Sequence, residues 1–387
     1  MKHVAIIGRL PELSIAELES VFGAQNIQPI SPQAVLINSN DVLNQASRLG
    51  GTIKIAKILA EIPSKNWGDL HNYLDKNVPL YIGFVPQGKL TVGISAYNLP
   101  VTAARINATA LHLKKLVKKT GRSVRIVPNN ETALNSAQVI HNKLVSSNGW
   151  ELIFIGMDSG KTLLAQTIHE QDIEAYSARD QKRPKRDARV GMLPPKLAQT
   201  IVNLSGGQAG QTLLDPFCGT GVLLQEALLM GINVIGSDLE PKMVEYSQEN
   251  LDWLKKNNDS SFELKVADAA AANFGTDVQV IACETYLGRP LTSLPDNQTL
   301  NKIVQDCDTI HKKFLQNVAR QTKPGFKMCI AVPAWKIKNS FLHLPTLDKL
   351  NDLGYNRIRF VHVDTKNLIY YREDQTVARE PVVLERI

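Results

Sequence analysis

Three aspartates, Asp215, Asp238 and Asp268, each close an apolar run in the second half of the chain, and the first opens a glycine turn. The run reads Leu213-Leu214-Asp215-Pro216-Phe217-Cys218-Gly219-Thr220-Gly221-Val222. Apolar residues before Asp215 and helical character from Val222 to Met230 describe a buried strand turning sharply into a helix over two glycines. Such a turn lets backbone come close to a bound small molecule. Asn233-Val234-Ile235-Gly236-Ser237 is a second apolar run, and the acid that follows, Asp238, is placed to hold the two hydroxyls of a ribose. Val266-Ala267-Asp268 ends a third, where a carboxylate can accept from the exocyclic amine of adenine. The plain alternative for each is a turn or helix-capping aspartate. Acids at three successive strand ends, one beside Gly-x-Gly, favour a nucleoside pocket. Asp215 can accept from a ligand ammonium group, which points to S-adenosyl-L-methionine rather than a dinucleotide. Asp215, Phe217, Gly219, Gly221, Asp238 and Asp268 are the expected cofactor-binding residues.

Ligands of doubly wound α/β sheets lie outside the carboxyl ends of the strands, so the elements around these residues should form such a sheet. From residue 191 onward the chain has a βαβ rhythm. A helix opens near Leu193-Pro194-Pro195-Lys196-Leu197, and strands are predicted at 212–214, 233–236, 263–266, 278–282, 327–332, 357–363 and 367–371. A last strand, 380–384, is expected to pair with 367–371 as a hairpin across Glu373-Asp374-Gln375. An antiparallel end suits a seven-stranded methyltransferase sheet better than a dinucleotide-binding one.

Residues 1–75 read as a ferredoxin-like unit: a strand at 4–7, a helix from Pro11 with Ser14 and Glu17 as a capping box, a strand at 34–37, a helix at 43–49 and a strand at 53–59. Residues 76–172 form a second block, with a hairpin expected from 80–84 and 89–95 and a long helix from Val101 to Lys119 stopped by Gly121. Residues 173–190 read as an exposed basic linker, and 191–387 as the sheet domain.

The net charge is +7, and its distribution is uneven. Lys114, Lys115, Lys118, Lys119, Arg122 and Arg125 cluster with no acid among them. Like charges at i,i+4 repel, so either the face is merely solvated or it meets phosphates. The linker carries Arg179, Lys182, Arg183, Lys185, Arg186 and Arg189 against Asp180 and Asp187. Lys114, Lys115, Lys118, Arg122, Arg125, Arg183 and Arg186 are the expected RNA contacts.

Asp215-Pro216-Phe217-Cys218-Gly219-Thr220-Gly221, preceded by Gly191-Met192-Leu193-Pro194-Pro195-Lys196-Leu197-Ala198, resembles the THUMP-domain tRNA guanine-10 N2-methyltransferases. The resemblance implies a ferredoxin-like unit, a THUMP RNA-binding domain and a Rossmann-like methyltransferase sheet. It implies methyl transfer from S-adenosyl-L-methionine to the exocyclic N2 of a guanosine in tRNA. It leaves a small activating protein partner open.

One segment departs from that family. Where the family has Asp-Pro-Pro-Tyr after the fourth strand, this chain has Cys283-Glu284-Thr285-Tyr286-Leu287-Gly288-Arg289-Pro290. Glu284 is the only carboxylate there, one methylene longer than Asp, and a misplacement of ~1 Å can cost on the order of a hundredfold in rate. Glu284 as amine acceptor and Tyr286 as base-stacking residue is the catalytic reading. A different acceptor, a tRNA-binding protein without catalysis and a DNA amino-methyltransferase are the alternatives.

Hydrophobic residues make up 43% and charged residues 21%, as in folded soluble proteins. No apolar stretch reaches the roughly 18 residues of a membrane span, and the short apolar run after Met1 is no signal peptide, so a cytoplasmic protein with no membrane partner is expected. Cys218, Cys283, Cys307 and Cys329 show neither CxxC pairing nor metal-like spacing, which predicts reduced thiols. No metal is implied.

Overall fold

The computed structural model describes residues 2–187, 192–254, 260–275, 277–291, 293–373 and 375–387. The basic linker residue Arg189, the start of the sheet domain at Gly191 and the hairpin residue Asp374 lie outside them. The chain divides into two units, 1–15 with 22–47 and 51–173, and 16–21 with 48–50 and 174–387.

The first unit is built from β1 (His3–Ile7), α1 (Pro11–Phe22), β2 (Ile27–Ser31), β3 (Ala34–Ile37), α2 (Val42–Gln45), β4 (Thr52–Ile62), α3 (Trp67–Tyr81), β5 (Leu90–Tyr97), α4 (Ala103–Lys119), β6 (Val124–Ile126), α5 (Ser136–His141), β7 (Gly149–Gly156) and β8 (Thr162–Glu170). Its strands form one sheet in the order β2-β3-β1-β4-β8-β7-β5-β6. The two blocks read separately in the sequence share this sheet, through the antiparallel β4–β8 pair that sets Lys57 opposite Gln166. Helix α4 forms because Thr102 caps it and Ile106, Ala110, Leu113 and Val117 return to one buried face.

Two local expectations fail here. Leu80 and Tyr81 finish α3, and Ile82–Phe84 is a 3₁₀ turn rather than a hairpin strand. Asn66 caps α3, and Trp67, Leu70, Leu74, Val78 and Ile82 keep a helical stripe buried. A short apolar run read alone does not separate the two periods. Ser14 is not a helix cap either. The helix starts at Pro11, whose missing N–H costs nothing in the first turn, and the Ser14 hydroxyl donates to the Leu10 carbonyl at 2.9 Å.

Inside this sheet lies a buried ion pair. Lys54 Nζ bonds Glu151 Oε1 at 2.5 Å and donates to the Leu134 carbonyl at 2.8 Å, with both side chains almost fully buried. Ser95 and Thr167 hydroxyls donate to the two Glu151 oxygens, each at 2.6 Å. A satisfied buried pair of this kind tolerates removal of one partner badly, because the remaining charge is stranded.

The second unit comprises α6 (Ile173–Gln181), α7 (Pro195–Ser205), β9 (Thr212–Asp215), α8 (Val222–Leu229), β10 (Asn233–Asp238), α9 (Pro241–Leu254), β11 (Phe262–Val266), β12 (Val280–Glu284), α10 (Asn297–Gln321), β13 (Lys327–Ile337), β14 (Ser340–Leu342), β15 (Tyr355–Arg357) and β16 (Val377–Arg386). The sheet runs β11-β10-β9-β12-β13-β16-β15, with β14 paired to β13. Strands β11, β10, β9, β12 and β13 run parallel to one another, and Asp215 on β9 faces Gly236 on β10. The core packs Leu214, Ile281, Phe314, Ile330, Trp335 and Tyr355.

The expected closing hairpin is corrected. β16 pairs antiparallel with β13, Arg379 opposite Pro333, and with β15 at Tyr355–Arg357. Tyr370 retains only an isolated bridge to Arg379. The run Ala378, Val382, Val383 and Leu384 is buried, so β16 lies within the sheet between β13 and β15 rather than pairing across the nearest turn. No helix among the described residues is long and apolar enough to cross a membrane.

The Lys54 network yields a first prediction. Lys54→Met strands Glu151 and should cost about 3–5 kcal/mol of stability, whereas Lys57→Met, on the exposed face of the same strand, should stay within about 0.5 kcal/mol. Urea unfolding of the two variants measures the difference, and equal effects would refute the network's role.

Candidate active site

The strand order reverses between β10 and β12 on either side of β9, which opens a crevice at their carboxyl ends. A cleft of about 570 Å³ lies there, lined among others by Asp215, Gly219, Asp238, Glu284, Tyr286 and Arg379. That volume suits a nucleoside-sized ligand.

The glycine turn is left-handed at both glycines, with φ +51° at Gly219 and +77° at Gly221. A Cβ on Gly221 would sit 2.9 Å from Ser247 Oγ, so the turn excludes larger residues both by conformation and by space. Ser247 Oγ donates to the Gly219 carbonyl at 2.8 Å, and Asn250 Nδ2 donates to the Thr220 carbonyl at 2.8 Å. These two α9 residues, which sequence reading passed over as ordinary helix positions, hold the turn from behind.

Asp238 sits at the tip of β10. Its Oδ2 accepts from Gly219 N at 2.9 Å and its Oδ1 from Glu240 N at 3.0 Å. It therefore shapes the turn as a capping aspartate would. A carboxylate still has about four lone-pair sites, which leaves capacity for ligand hydroxyls. Asp215 is 2% exposed and accepts from Phe217 N at 3.1 Å. Burial pushes its pKa well above the usual carboxylate range, and the charges of Asp238 and Glu284 push it the same way. Phe217 is half-buried, packs edge-on against Phe314 at 5.1 Å and lines the cleft.

Asp268 is not brought into the cleft. It is exposed, past the end of β11, and caps its own turn by accepting from Ala270 N at 2.9 Å.

Glu284 ends β12 beside Ala331 of β13 and is 15% exposed. Its Oε1 accepts from Nε of Arg379, a residue on β16 that is 4% exposed and that no local pattern had singled out. Burial raises the Glu284 pKa, and the Arg379 charge and hydrogen bond oppose that rise. Arg379 Nη1 also donates to Gln375 Oε1 at 3.3 Å. Tyr286 is 42% exposed at the cleft wall.

Between Glu284 and Tyr286, Thr285 is anchored from α10. His311 Nδ1 donates to the Cys307 carbonyl at 2.6 Å, and the Thr285 hydroxyl lies against His311 Nε2 and 3.0 Å from the Ala331 carbonyl, so its one proton is shared between those two acceptors. His311 is 2% exposed, and burial lowers its pKa to about 4. The neutral imidazole thus locks the backbone on which the two candidate catalytic residues sit.

The basic residues divide. Lys115, Lys118, Lys119 and Arg125 are exposed and Lys114 is half-buried. Arg122 is spent on structure, its Nη1 donating to the Val85 carbonyl at 3.0 Å and its Nη2 to the Pro86 carbonyl. Arg183 is buried, 3% exposed, with its pKa lowered by burial and supported by the Asp180 and Glu226 charges. Arg186 is exposed.

Residues 183–347 match the RMKL-like methyltransferase domain model, and a DNA methylase model matches residues 113–249. The tRNA (guanine(10)-N2)-dimethyltransferase of Methanothermobacter thermautotrophicus is 32% identical over 185 residues, 48% of this chain and 51% of that protein. The enzyme of the same name from Pyrococcus abyssi is 32% identical over 129 residues, 33% of this chain and 35% of that protein. The chain thus spans about half or less of the length of the curated relatives it matches. TrmN from Thermus thermophilus matches over 100% of this chain and 99% of its own, with TM-score 0.54 and 16% identity. SMU.472 complexed with SAH matches over 100% and 97%, with TM-score 0.51 and 12% identity. At those identities the likeness is one of fold, and it bears out the Rossmann-like methyltransferase sheet read from the sequence. The curated names bear out the resemblance to tRNA guanine N2-methyltransferases.

A buried neutral histidine makes stability depend on pH with a definite sign. Below pH 6.5 the unfolded chain takes up a proton that His311, with its pKa lowered to about 4, refuses. Its contribution is constant above that window and declines by about 1.4 kcal/mol per pH unit as pH falls through it. The stability difference between the wild-type chain and His311→Gln should shrink accordingly between pH 6.5 and pH 4.5 in urea unfolding. A difference that stays constant over that range would contradict the neutral assignment.

Proposed function

We propose that this chain is an S-adenosyl-L-methionine-dependent RNA methyltransferase whose acceptor is the exocyclic N2 of a guanosine in tRNA. The observation that carries the reading is the convergence of Asp215, Asp238 and the Arg379-held Glu284 on one cleft beside a left-handed glycine turn. The cofactor fits the residues present. A buried carboxylate whose pKa is raised by burial and by neighbouring carboxylates favours a cationic ligand. Asp215 would take the ammonium group, the Gly219–Gly221 backbone would lie against the ligand, and Asp238 would take the ribose hydroxyls. When bound, the cofactor supplies an electrophilic methyl group.

Glu284 would accept an N–H of the guanine amine, which turns the nitrogen lone pair toward the methyl group. Arg379 opposes the burial-driven rise in the pKa of that carboxylate, and its hold on Oε1 fixes the extra methylene that distinguishes Glu from the family's Asp. Tyr286, half-exposed beside it, would stack on the base, a contact worth about 1–3 kcal/mol. The first unit would serve as the THUMP-like RNA-holding part, with Lys114, Lys115, Lys118 and Arg125 toward the phosphates. The names of the curated relatives and the exposed basic face of α4 support tRNA as partner.

Glu284→Gln should lower methyl transfer to tRNA by at least about a hundredfold while leaving cofactor binding intact, as read by labelled methyl incorporation and calorimetry. Nucleoside mass spectrometry of the tRNA product identifies the base. Label in duplex DNA but not in tRNA would transfer the reading to a DNA amino-methyltransferase, and label in neither would refute the enzymatic one. Cofactor affinity also has an expected pH dependence. The cation binds ionised Asp215, whose pKa is raised in the free chain, so affinity should rise with pH through that pKa and binding should release a proton. Calorimetry over a pH series, in buffers of different ionisation enthalpy, follows the affinity and the proton released, and an affinity without pH dependence and without release anywhere in the series would remove Asp215 from the ammonium role.

A further inference from the structure

A second chemical cluster lies in the first unit. His71 and Asp75 are one turn apart on α3, and His112 on α4 reaches the same carboxylate. His112 Nε2 is 2.9 Å from Asp75 Oδ1, and His71 Nε2 is 3.8 Å from Asp75 Oδ2. The three potential ligand atoms all lie within 4.8 Å of one another, and the two imidazole centroids are 4.7 Å apart.

We propose that His71, Asp75 and His112 form a binding site for a single divalent transition-metal ion, with zinc as the preferred occupant. Zinc bonds of about 2.0–2.1 Å at tetrahedral angles place ligand atoms about 3.3 Å apart. The 2.9 Å and 3.8 Å separations run to the two different Asp75 oxygens and the ligand atoms lie within 4.8 Å of one another, so side-chain rotation brings one oxygen and both imidazole nitrogens to that spacing. Two imidazoles and one carboxylate suit zinc and its first-row neighbours, whereas magnesium and calcium want oxygen ligands throughout.

The surroundings prepare one ligand for the task. His71 Nδ1 lies 3.2 Å from Thr109 Oγ1, a buried hydroxyl that also accepts from Trp67 Nε1 at 2.9 Å. With the Nδ1 proton directed to that oxygen, Nε2 presents its lone pair to the metal, the usual arrangement behind a metal-ligating histidine. The side chains are 28%, 36% and 47% exposed, so an ion can enter and a fourth coordination position faces solvent. The ion would clamp α3 to α4 one turn ahead of exposed Lys115 and thereby fix the basic face of α4. Cysteine spacing, the usual sequence cue for zinc, says nothing about this site, because its ligands come from two helices.

The test uses the full chain without an affinity tag. It is loaded with zinc, dialysed against metal-free buffer, and its metal counted by elemental mass spectrometry, with a cobalt titration followed by absorbance. The expected result is one zinc per chain, a tetrahedral cobalt spectrum, and a melting temperature that rises with zinc. His112→Gln changes a half-exposed side chain and should weaken binding by more than tenfold and abolish the thermal shift. Thr109→Val should weaken it by about 10–100-fold through the lost acceptor, and His141→Gln, an exposed histidine outside the cluster, should change neither. No retained zinc in the wild-type chain, or equal retention by a folded His112→Gln, overturns the proposal.

Discussion

The second unit is organised around a concentration of acidic groups at the ends of neighbouring strands. Asp215, Asp238 and Glu284 end three parallel strands of one mixed sheet and open on one cleft. Parallel strands bring their carboxyl ends to the same edge by construction, so three acids at strand ends become neighbours whatever their separation in the chain. Such a grouping is unfavourable unless hydrogen bonds and cations compensate it. Backbone N–H groups of the glycine turn answer Asp238 and Asp215, and the guanidinium of Arg379 answers Glu284. Asp215, bonded to one backbone N–H and pressed by two other carboxylates, remains the group a cationic ligand would relieve.

The sheet and its first two acids were legible because their signals are local. Strand, aspartate, glycines and helix follow within a dozen residues, and each is needed for its neighbour's conformation. Asp268 shows the limit of that argument, since an acid just past a strand end is equally suited to capping its own turn, and here it does so. Arg379 was illegible for the opposite reason. It sits in a strand with an ordinary apolar pattern, and only the β13–β16 register and the reach of its side chain bring it to Glu284. Positive charge was likewise countable but not assignable from sequence. The same cluster that supplies exposed Lys115 and Lys118 also contains Arg122, whose guanidinium is consumed by the carbonyls of the turn after α3.

Support for the divergent loop comes from two directions. Arg379 reaches Glu284 from β16, and His311 holds Thr285 from α10. Side-chain anchors from two neighbouring elements thus hold the segment at the strand end. Stiffness that one sequence builds into the backbone can be supplied by buried hydrogen bonds from neighbouring elements, at the expense of dependence on distant residues.

That dependence has a temporal side. Arg379 follows Glu284 by 95 residues. A ribosome adding about 5–20 residues per second therefore exposes β9, β10 and β12 for several seconds before the compensating guanidinium exists. During that interval the Glu284 end of β12 cannot be buried without a stranded charge, and β13 lacks its antiparallel neighbour. The crevice would close only as β16 enters the sheet, so the emerging chain should hold its glycine turn and the Glu284 end of β12 in different states of completion until then.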